Sequence, residues 1–310
     1  MISLVIPAST RTKEYTNALI KNIEEIYPNR DEVEIILQED DNLTMGNNYN
    51  RAVERANGEK IILLHNDMIL KPGFVEEIDK HIIRNRITTY TRVEPPIYKD
   101  TYPGKILLDC GSNLETFNKK KFEELKIEES LVDGGTQLFF GCYKEDYIGI
   151  DGDTYKIFCE DDDFHLRCTI AGMERKVSSA SVYHFVSKTS RTTDDYKEVE
   201  SLSNKAFIKK WGFRNSQYNK VYKTCYILSG DNPGLSSFLN TFSTSTLEEA
   251  NIIIEVNSNW FNQQDQDYIM QLSDIIYKNN EVGTFELGNL QIQVKSLESF
   301  EKDLIYLKNN

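Results

Sequence analysis

The chain has 310 residues, with 36 Lys plus Arg against 49 Asp plus Glu and a formal net charge of -13. That length can bury one large core or two smaller ones, and two domains are expected. The acidic balance excludes sequence-independent nucleic-acid binding, which needs clustered cations to displace counterions, so nucleic acid is not an expected partner.

Met1-Ile-Ser-Leu-Val-Ile-Pro7 enters a strand at once, so no secretory signal is expected, and no apolar run is long enough for a membrane span. Tyr15, Leu19, Ile20, Ile23 and Ile26 then recur at helical spacing until Pro28. Val33 to Leu37 is a second strand. Thr44 is placed to cap a helix whose apolar face is Met45, Tyr49, Ala52, Val53 and Ala56, with Gly58 as its stop. Ile61 to Leu64 is a third strand. Strands alternating with helices at this spacing predict a doubly wound parallel unit with right-handed crossovers.

A helix over Phe74 to Asn85 and a strand over Ile87 to Val93 follow, and Glu94-Pro-Pro and Tyr102-Pro-Gly mark irregular chain. Lys119 to Lys121, followed by Glu123 and Glu124, reads as a solvated face. Gly134 to Gly141 is a turn into a short strand, Glu160 to Ala171 a helix closed by Gly172, and Val177 to Phe185 a strand. A helix from Asp194 to Trp211 is expected to pack Val199, Leu202, Ala206, Phe207 and Ile208. From about residue 215 the pattern restarts: strands at Thr224 to Leu228 and Ile252 to Val256, helices at Leu235 to Phe242 and Asp265 to Tyr277, strands within Gly283 to Val294, and a last helix. The expected organisation is therefore residues 1–214 and a smaller α/β unit, 215–310. The smaller unit carries no spacing assignable to catalysis, so homo-oligomerisation, partner docking and buttressing are all open for it. The five cysteines are scattered without C-x-x-C spacing, which suits reduced thiols of the cytoplasm and neither a disulfide frame nor a zinc site.

Three loops after successive strands carry polar groups: Pro7-Ala-Ser-Thr-Arg11, Gln38-Glu-Asp-Asp41 and His65-Asn-Asp67. In a parallel sheet they meet at one edge, where ligands bind. The first loop lacks the glycines of dinucleotide and phosphate loops, which disfavours hydride transferases and P-loop enzymes. A nucleotide held by side chains, its diphosphate neutralised by a cation at Asp67, suits what remains. Four consecutive acids, Glu160 to Asp163, open a predicted helix; one or two would serve the macrodipole, and crowding raises the proton affinity of at least one toward that of a general base. The strand Ser181-Val-Tyr-His184 runs into Ser187, Lys188, Thr189 and Ser190, which suits metal and phosphate ligation.

The order of these segments resembles the inverting nucleotide-sugar glycosyltransferases of family 2, which have the GT-A fold. The marks are Leu4-Val-Ile-Pro7, Met45-Gly-Asn-Asn-Tyr-Asn-Arg-Ala52 with Ala56-Asn-Gly58, Leu63-Leu-His-Asn-Asp67 in the D-x-D place, Phe158-Cys-Glu-Asp161 continuing to Arg167 and Gly172, and Val182-Tyr-His184. The resemblance covers about residues 1 to 190. It implies a GT-A type doubly wound mixed sheet, with the smaller α/β domain beyond it. Pro7, Ser9 and Arg11 would line the donor pocket, Glu39 and Asp40 would lie near the base or ribose, and Asn66 and Lys188 would also face the donor. Asp67, with His184 and His65, would hold a divalent metal. Asp161 would be the general base, and Glu160 and Asp163 would orient the acceptor or the base.

One departure is that His65 stands where the family's first D-x-D carboxylate belongs. Imidazole suits Mn²⁺ better than Mg²⁺, so Mn²⁺ is the favoured cofactor, with metal-free catalysis the alternative. The expected partners are a nucleoside-diphosphate sugar, a UDP or GDP sugar first, and a glycan, lipid-linked or protein acceptor. A cytoplasmic enzyme, soluble or peripheral to a membrane, is expected. Competing readings are a sugar nucleotidyltransferase, disfavoured by the absence of glycine in Ala8 to Arg11, and a catalytically silent nucleotide-sugar binder or structural protein. Tyr98, Tyr102, Tyr143 and Tyr155 are available to stack on sugars, though packing or plain surface is the commoner role.

Overall fold

A computed structural model describes residues 1–28, 33–98, 103–135, 137–186, 188, 196–211, 222–242 and 245–297. The chain divides into two compact units, Met1–Glu200 and Ser201–Asn310. The expected boundary at 214–215, the last helix, Tyr102, Ser187, Thr189, Ser190 and Asp194 lie outside the described residues.

The first unit begins with β1 (Ile2–Ala8), a 3₁₀ turn at Thr10–Thr12, α1 (Lys13–Ile26), β2 (Val33–Glu39), α2 (Met45–Arg55), β3 (Lys60–Leu63) and β4 (Met68–Leu70). There follow α3 (Phe74–Asp79), β5 (Arg86–Glu94), β6 (Lys105–Leu107), α4 (Lys119–Glu123), β7 (Leu131–Asp133), β8 (Phe140–Tyr143), α5 (Glu160–Ile170) and β9 (Glu174–His184). These strands form a nine-stranded mixed sheet in the order β2-β1-β3-β8-β5-β9-β4, with β6 on β5 and β7 on β9.

Strand direction decides where the polar loops go. β1 is parallel to β2 and to β3. β8 is antiparallel to both β3 and β5, and the two reversals cancel, leaving β5 parallel to β3. β9 is parallel to β5. The carboxyl ends of β1, β2, β3, β5 and β9 therefore share one edge, the place where an α/β sheet binds ligands. Between Tyr90 and Thr91 the register against β9 slips, Tyr90 facing Ser178 and Thr91 facing Ser181, so that Val93 reaches Tyr183 and Glu94 arrives beside His184.

Both faces of this sheet are covered by apolar side chains. Leu4, Ile6, Ile62, Leu19 and Ile23 pack on one face with α1, and Val5, Ile61, Leu63, Tyr49 and Val53 on the other with α2. Each such fully buried aliphatic side chain contributes about 1.5–3 kcal/mol through removal from water. Thr44 caps α2, its side chain accepting from Asn47 N at 3.2 Å. Gly58 does not serve as the left-handed stop expected from the sequence. Ala56 is the C-cap, and Gly58 is small because a Cβ there would lie 2.6 Å from Ser3 Oγ and 2.7 Å from Ser3 N. Gly172, with φ of +78°, does close α5 in the left-handed conformation.

The helix expected over 74–85 ends at Asp79. His81 N and Ile82 N bond back three residues to Ile78 and Asp79, and Asn85 takes a positive φ to turn the chain into β5. α6 (Tyr196–Trp211) follows β9, and Leu202, expected in its packed face, is 56% exposed.

The second unit contains β10 (Thr224–Ser229), α7 (Pro233–Phe242), β11 (Ile252–Asn257), α8 (Gln263–Asn279), β12 (Gly283–Leu287) and β13 (Leu290–Val294). Its four-stranded sheet runs β10-β11-β13-β12, parallel at the first pairing and antiparallel at the others. Leu235, Leu239, Ile254, Ile269, Leu272 and Ile292 contribute to a core of its own. Among the described residues, no helix is long and apolar enough to cross a membrane.

Candidate active site

The β3–β4 connection carries His65, Asn66 and Asp67 past the shared edge. Asp67 and His184 are buried, and His184 Nε2 lies 3.3 Å from Asp67 Oδ1. The imidazole's other nitrogen, Nδ1, is 2.8 Å from Glu94 Oε1. The His65 ring lies 5.7 Å from that of His184, and one ligand atom from each of His65, Asp67 and His184 falls within 4.8 Å of the others. Lys188 adds its backbone N–H to the Asp67 carboxylate.

Charge holds this cluster together. Burial alone would raise Asp67, but His184 and then His65 outweigh it and bring the carboxyl down to about 2. Burial would depress His184, yet Asp67 and Glu94 carry it up to about 9. His65, buried and facing His184, falls to about 4 and is a neutral imidazole at physiological pH. Its Nε2 is buried without a hydrogen-bond partner. A buried, unpartnered ring nitrogen beside a carboxylate and a second imidazole is a donor set that fits a divalent cation.

Glu94 was missed in the sequence. It closes β5 as Asp67 follows β3, and the same strand-end logic would have found it had Pro95 and Pro96 not marked the segment as loop. Its carboxylate is buried and brought down to about 2 against burial by the His184 hydrogen bond, Arg92 and Lys105.

The acid pair stands at the start of α5. Glu160 is buried with Oε2 unpartnered, while Asp161 keeps some solvent contact and accepts from Asp162 N at 3.0 Å. Burial, and then the neighbouring Asp161 charge, push Glu160 up to about 8. Burial raises Asp161 as well, opposed by helix N–H groups and by the Arg92 guanidinium. Arg92 also lies 3.3 Å from Glu94 and 4.6 Å from the Phe139 ring centre, so one cation is shared by the acid pair and the histidine cluster. Tyr49 feels both Asp67 and Glu160 and bonds Leu64 O at 3.0 Å. Asp163, expected to orient the acceptor or the base, is fully buried in a 2.8 Å ion pair with Arg167. Arg167 in turn donates to Ile148 O and Gly149 O.

The donor-side residues divide. Pro7 is buried in β1, and Ser9 Oγ accepts from Arg11 N at 3.3 Å and Nε at 3.4 Å, ordering the first loop. Asp41, not singled out in the sequence, bonds the Thr10 hydroxyl and backbone N–H. Asp40 faces Arg51 at 3.5 Å, and Glu39 is exposed. Asn66 turns away, donating to Thr12 and Thr16 of the first loop and α1. Lys188 Nζ lies 6.0 Å from the Tyr15 ring centre. Of the tyrosines, Tyr155 is buried, and Tyr143 lies beneath Lys60 and Arg84.

The sheet edge thus carries an imidazole–carboxylate cluster, with the Glu160–Asp161 pair linked to it through Arg92. Residues 5–141 match the family model Glycosyl transferase family 2. The match includes His65, Asp67, Arg92 and Glu94 and stops before Glu160, Asp161 and His184. Two solved structures of S. aureus TarS are similar to this chain: one at 13% identity and a TM-score of 0.40, covering 71% of this chain and 44% of that one. The other, TarS 1-349, has 12% identity and a TM-score of 0.40, covering 67% of this chain and 69% of that one. No curated protein matches the chain.

Proposed function

We propose that the protein is a metal-dependent inverting glycosyltransferase that moves a sugar from a nucleoside-diphosphate sugar, a UDP or GDP sugar first, to an acceptor hydroxyl. The observation that carries this reading is the gathering of His65, Asp67 and His184 at the carboxyl edge of the sheet, with the Glu160–Asp161 pair sharing Arg92 with them. The match of residues 5–141 to the family model supports the same activity.

In a single displacement the acceptor oxygen attacks the anomeric carbon while the nucleoside diphosphate leaves, through an oxocarbenium-like transition state. Asp161 takes the hydroxyl proton; Glu160 beside it keeps the pair's proton affinity high enough for that transfer near neutral pH. His65, Asp67 and His184 would hold a divalent cation, which when bound neutralises charge on the leaving diphosphate. The Ser9 to Arg11 loop, tied to Asp41, lines the donor side.

The test is a thermal-shift screen of UDP, GDP, CDP and dTDP with and without Mn²⁺, followed by measurement of nucleoside diphosphate released from the sugar donor. A ligand bound only to the folded state stabilises it by about 2.7 kcal/mol at a hundred times its dissociation constant. A shift with one nucleotide that grows with Mn²⁺ and disappears in Asp67→Ala is the expected result. Binding without release of nucleoside diphosphate, across acceptors, would favour the silent binder; no shift at all would sink the nucleotide reading.

A further inference from the structure

Glu94 has an arrangement that the proposed reaction does not itself require. Its carboxylate is buried at the end of β5, one strand over from the end of β9. One oxygen, Oε1, meets His184 Nδ1 at 2.8 Å and Arg92 Nε at 3.3 Å, and the other, Oε2, meets Lys105 Nζ at 3.5 Å. Both oxygens are thus engaged by cationic or N–H groups, and Glu94 is not among the residues whose ligand atoms converge with His65 and Asp67. A carboxylate held in this way accepts from an imidazole N–H; it does not turn to bind a cation.

We propose that Glu94 is a positioning residue for the metal site: it keeps the His184 proton on Nδ1 when a cation displaces the one on Nε2, and holds the ring so that Nε2 faces Asp67 and His65. An imidazole has one lone pair to give when neutral, and the hydrogen bond at one nitrogen decides that the other carries it. Arg92 and Lys105 complete the device by holding the two oxygens of Glu94 in place. The register slip after Tyr90 is what brings Glu94 level with His184, so the positioning is built into the strand pairing. The inference rests on the metal-dependent reading above.

The experiment measures Mn²⁺ binding to the full chain by calorimetry, without donor or acceptor, in the wild type, Asp67→Ala, Glu94→Ala and Glu94→Gln. The wild type is expected to bind and Asp67→Ala to lose binding. Glu94→Ala should weaken Mn²⁺ about 10- to 100-fold, the usual effect of removing such an outer partner. Glu94→Gln, whose amide oxygen still accepts from Nδ1–H, should recover part of it. A wild type that binds no Mn²⁺ defeats the metal reading and this inference with it. A wild type that binds, with Glu94→Ala folded and equally tight, overturns the inference alone.

Because removing Glu94 leaves Arg92 and Lys105 facing each other, a second measurement uses the wild type only. The chain has 4 histidines, so ¹⁵N spectra of histidine-labelled protein titrated with diamagnetic Zn²⁺ are assignable. His184 is expected to keep a proton on Nδ1 while Nε2 shifts on metal addition; metal at Nδ1 would overturn the assignment.

Discussion

Glu160 and Asp161 are placed where two tendencies oppose each other. The first turn of α5 offers N–H groups that favour the ionised forms, and burial beside a second carboxylate disfavours them. Burial wins for both, so the pair retains a proton well above the usual carboxylate range. In the proposed mechanism the base must be ionised to act, so the transfer rate should rise with pH through neutrality, read as the acid limb of kcat/KM. Glu160→Gln removes the neighbouring charge and should move that limb to lower pH, whereas Asp161→Asn should lower turnover about 10²- to 10⁴-fold while nucleotide binding, read calorimetrically, persists. Stability follows the same sign. The folded state holds a proton that the unfolded chain releases near 4.5, so stability falls as pH rises from there through about 8. Glu160→Gln should flatten that decline in melting curves taken across the range. The four acids were legible in the sequence as a cluster, but their separate fates were not: Asp163 is claimed by Arg167, a contact that only the helix and the 148–149 loop together create. The turn before them, with φ of 68° at Phe158 and 66° at Cys159, places two side chains in a conformation that costs energy without glycine. Cys159→Gly relieves that backbone cost but gives up a buried side chain, and should lower turnover by loosening the acids' aim.

At the scale of elements, α2 does more than fill a face of the sheet. Asn47 donates to Asp153 at 2.9 Å and Asn48 to Asp40 O at 3.0 Å. Asn50 donates to Ile150 O and accepts from Ile150 N and the Tyr147 hydroxyl. One helix thereby anchors the loop after β2 and the segment leading to Glu160. Replacing Asn50 by Leu leaves the Tyr147 hydroxyl and Ile150 N without their acceptor, Ile150 O keeping Gly152 N, and should cost about 1–3 kcal/mol in denaturant unfolding. Gly58→Ala, which forces a methyl against Ser3 in the buried first strand, should cost a similar amount, about 1–3 kcal/mol, by the same measurement. β1, β2, β3, β5, β9, α1 and α2 were legible because their apolar periodicity is strong, and α5 because four acids open it and Gly172 closes it; the short β4, β6, β7 and α4 were not read as elements. The end of α3 was not legible either, since Ile82 continues the apolar rhythm after the backbone has turned; Leu202 failed because the stripe of α6 predicts a face that water in fact occupies. The role of Gly58 was misread for a related reason: its neighbour Ser3 is 55 residues away, and spacing says nothing of such approaches.

For the whole molecule, charge and topology set the limits. The net charge of -13 leads us to expect no retardation of duplex DNA or RNA at physiological ionic strength in a gel-shift assay. The mixed sheet was legible as α/β, but the insertion of β8 between β3 and β5 was not, because pairing order is a property of distant segments. That insertion has a temporal consequence. The sheet edge gathers Ser9, Asp67, Glu94 and His184, residues contributed from nearly the full span of the first unit, and β9 is the last of its strands to leave a ribosome. A nascent chain that has reached residue 141 already contains everything the family model recognises, yet it lacks one of the three convergent ligands and both members of the acid pair. On the proposed reading, synthesis itself acts as a timer: a chain that ends before β9 lacks groups the reaction needs, and competence arrives with the last strand of the first unit.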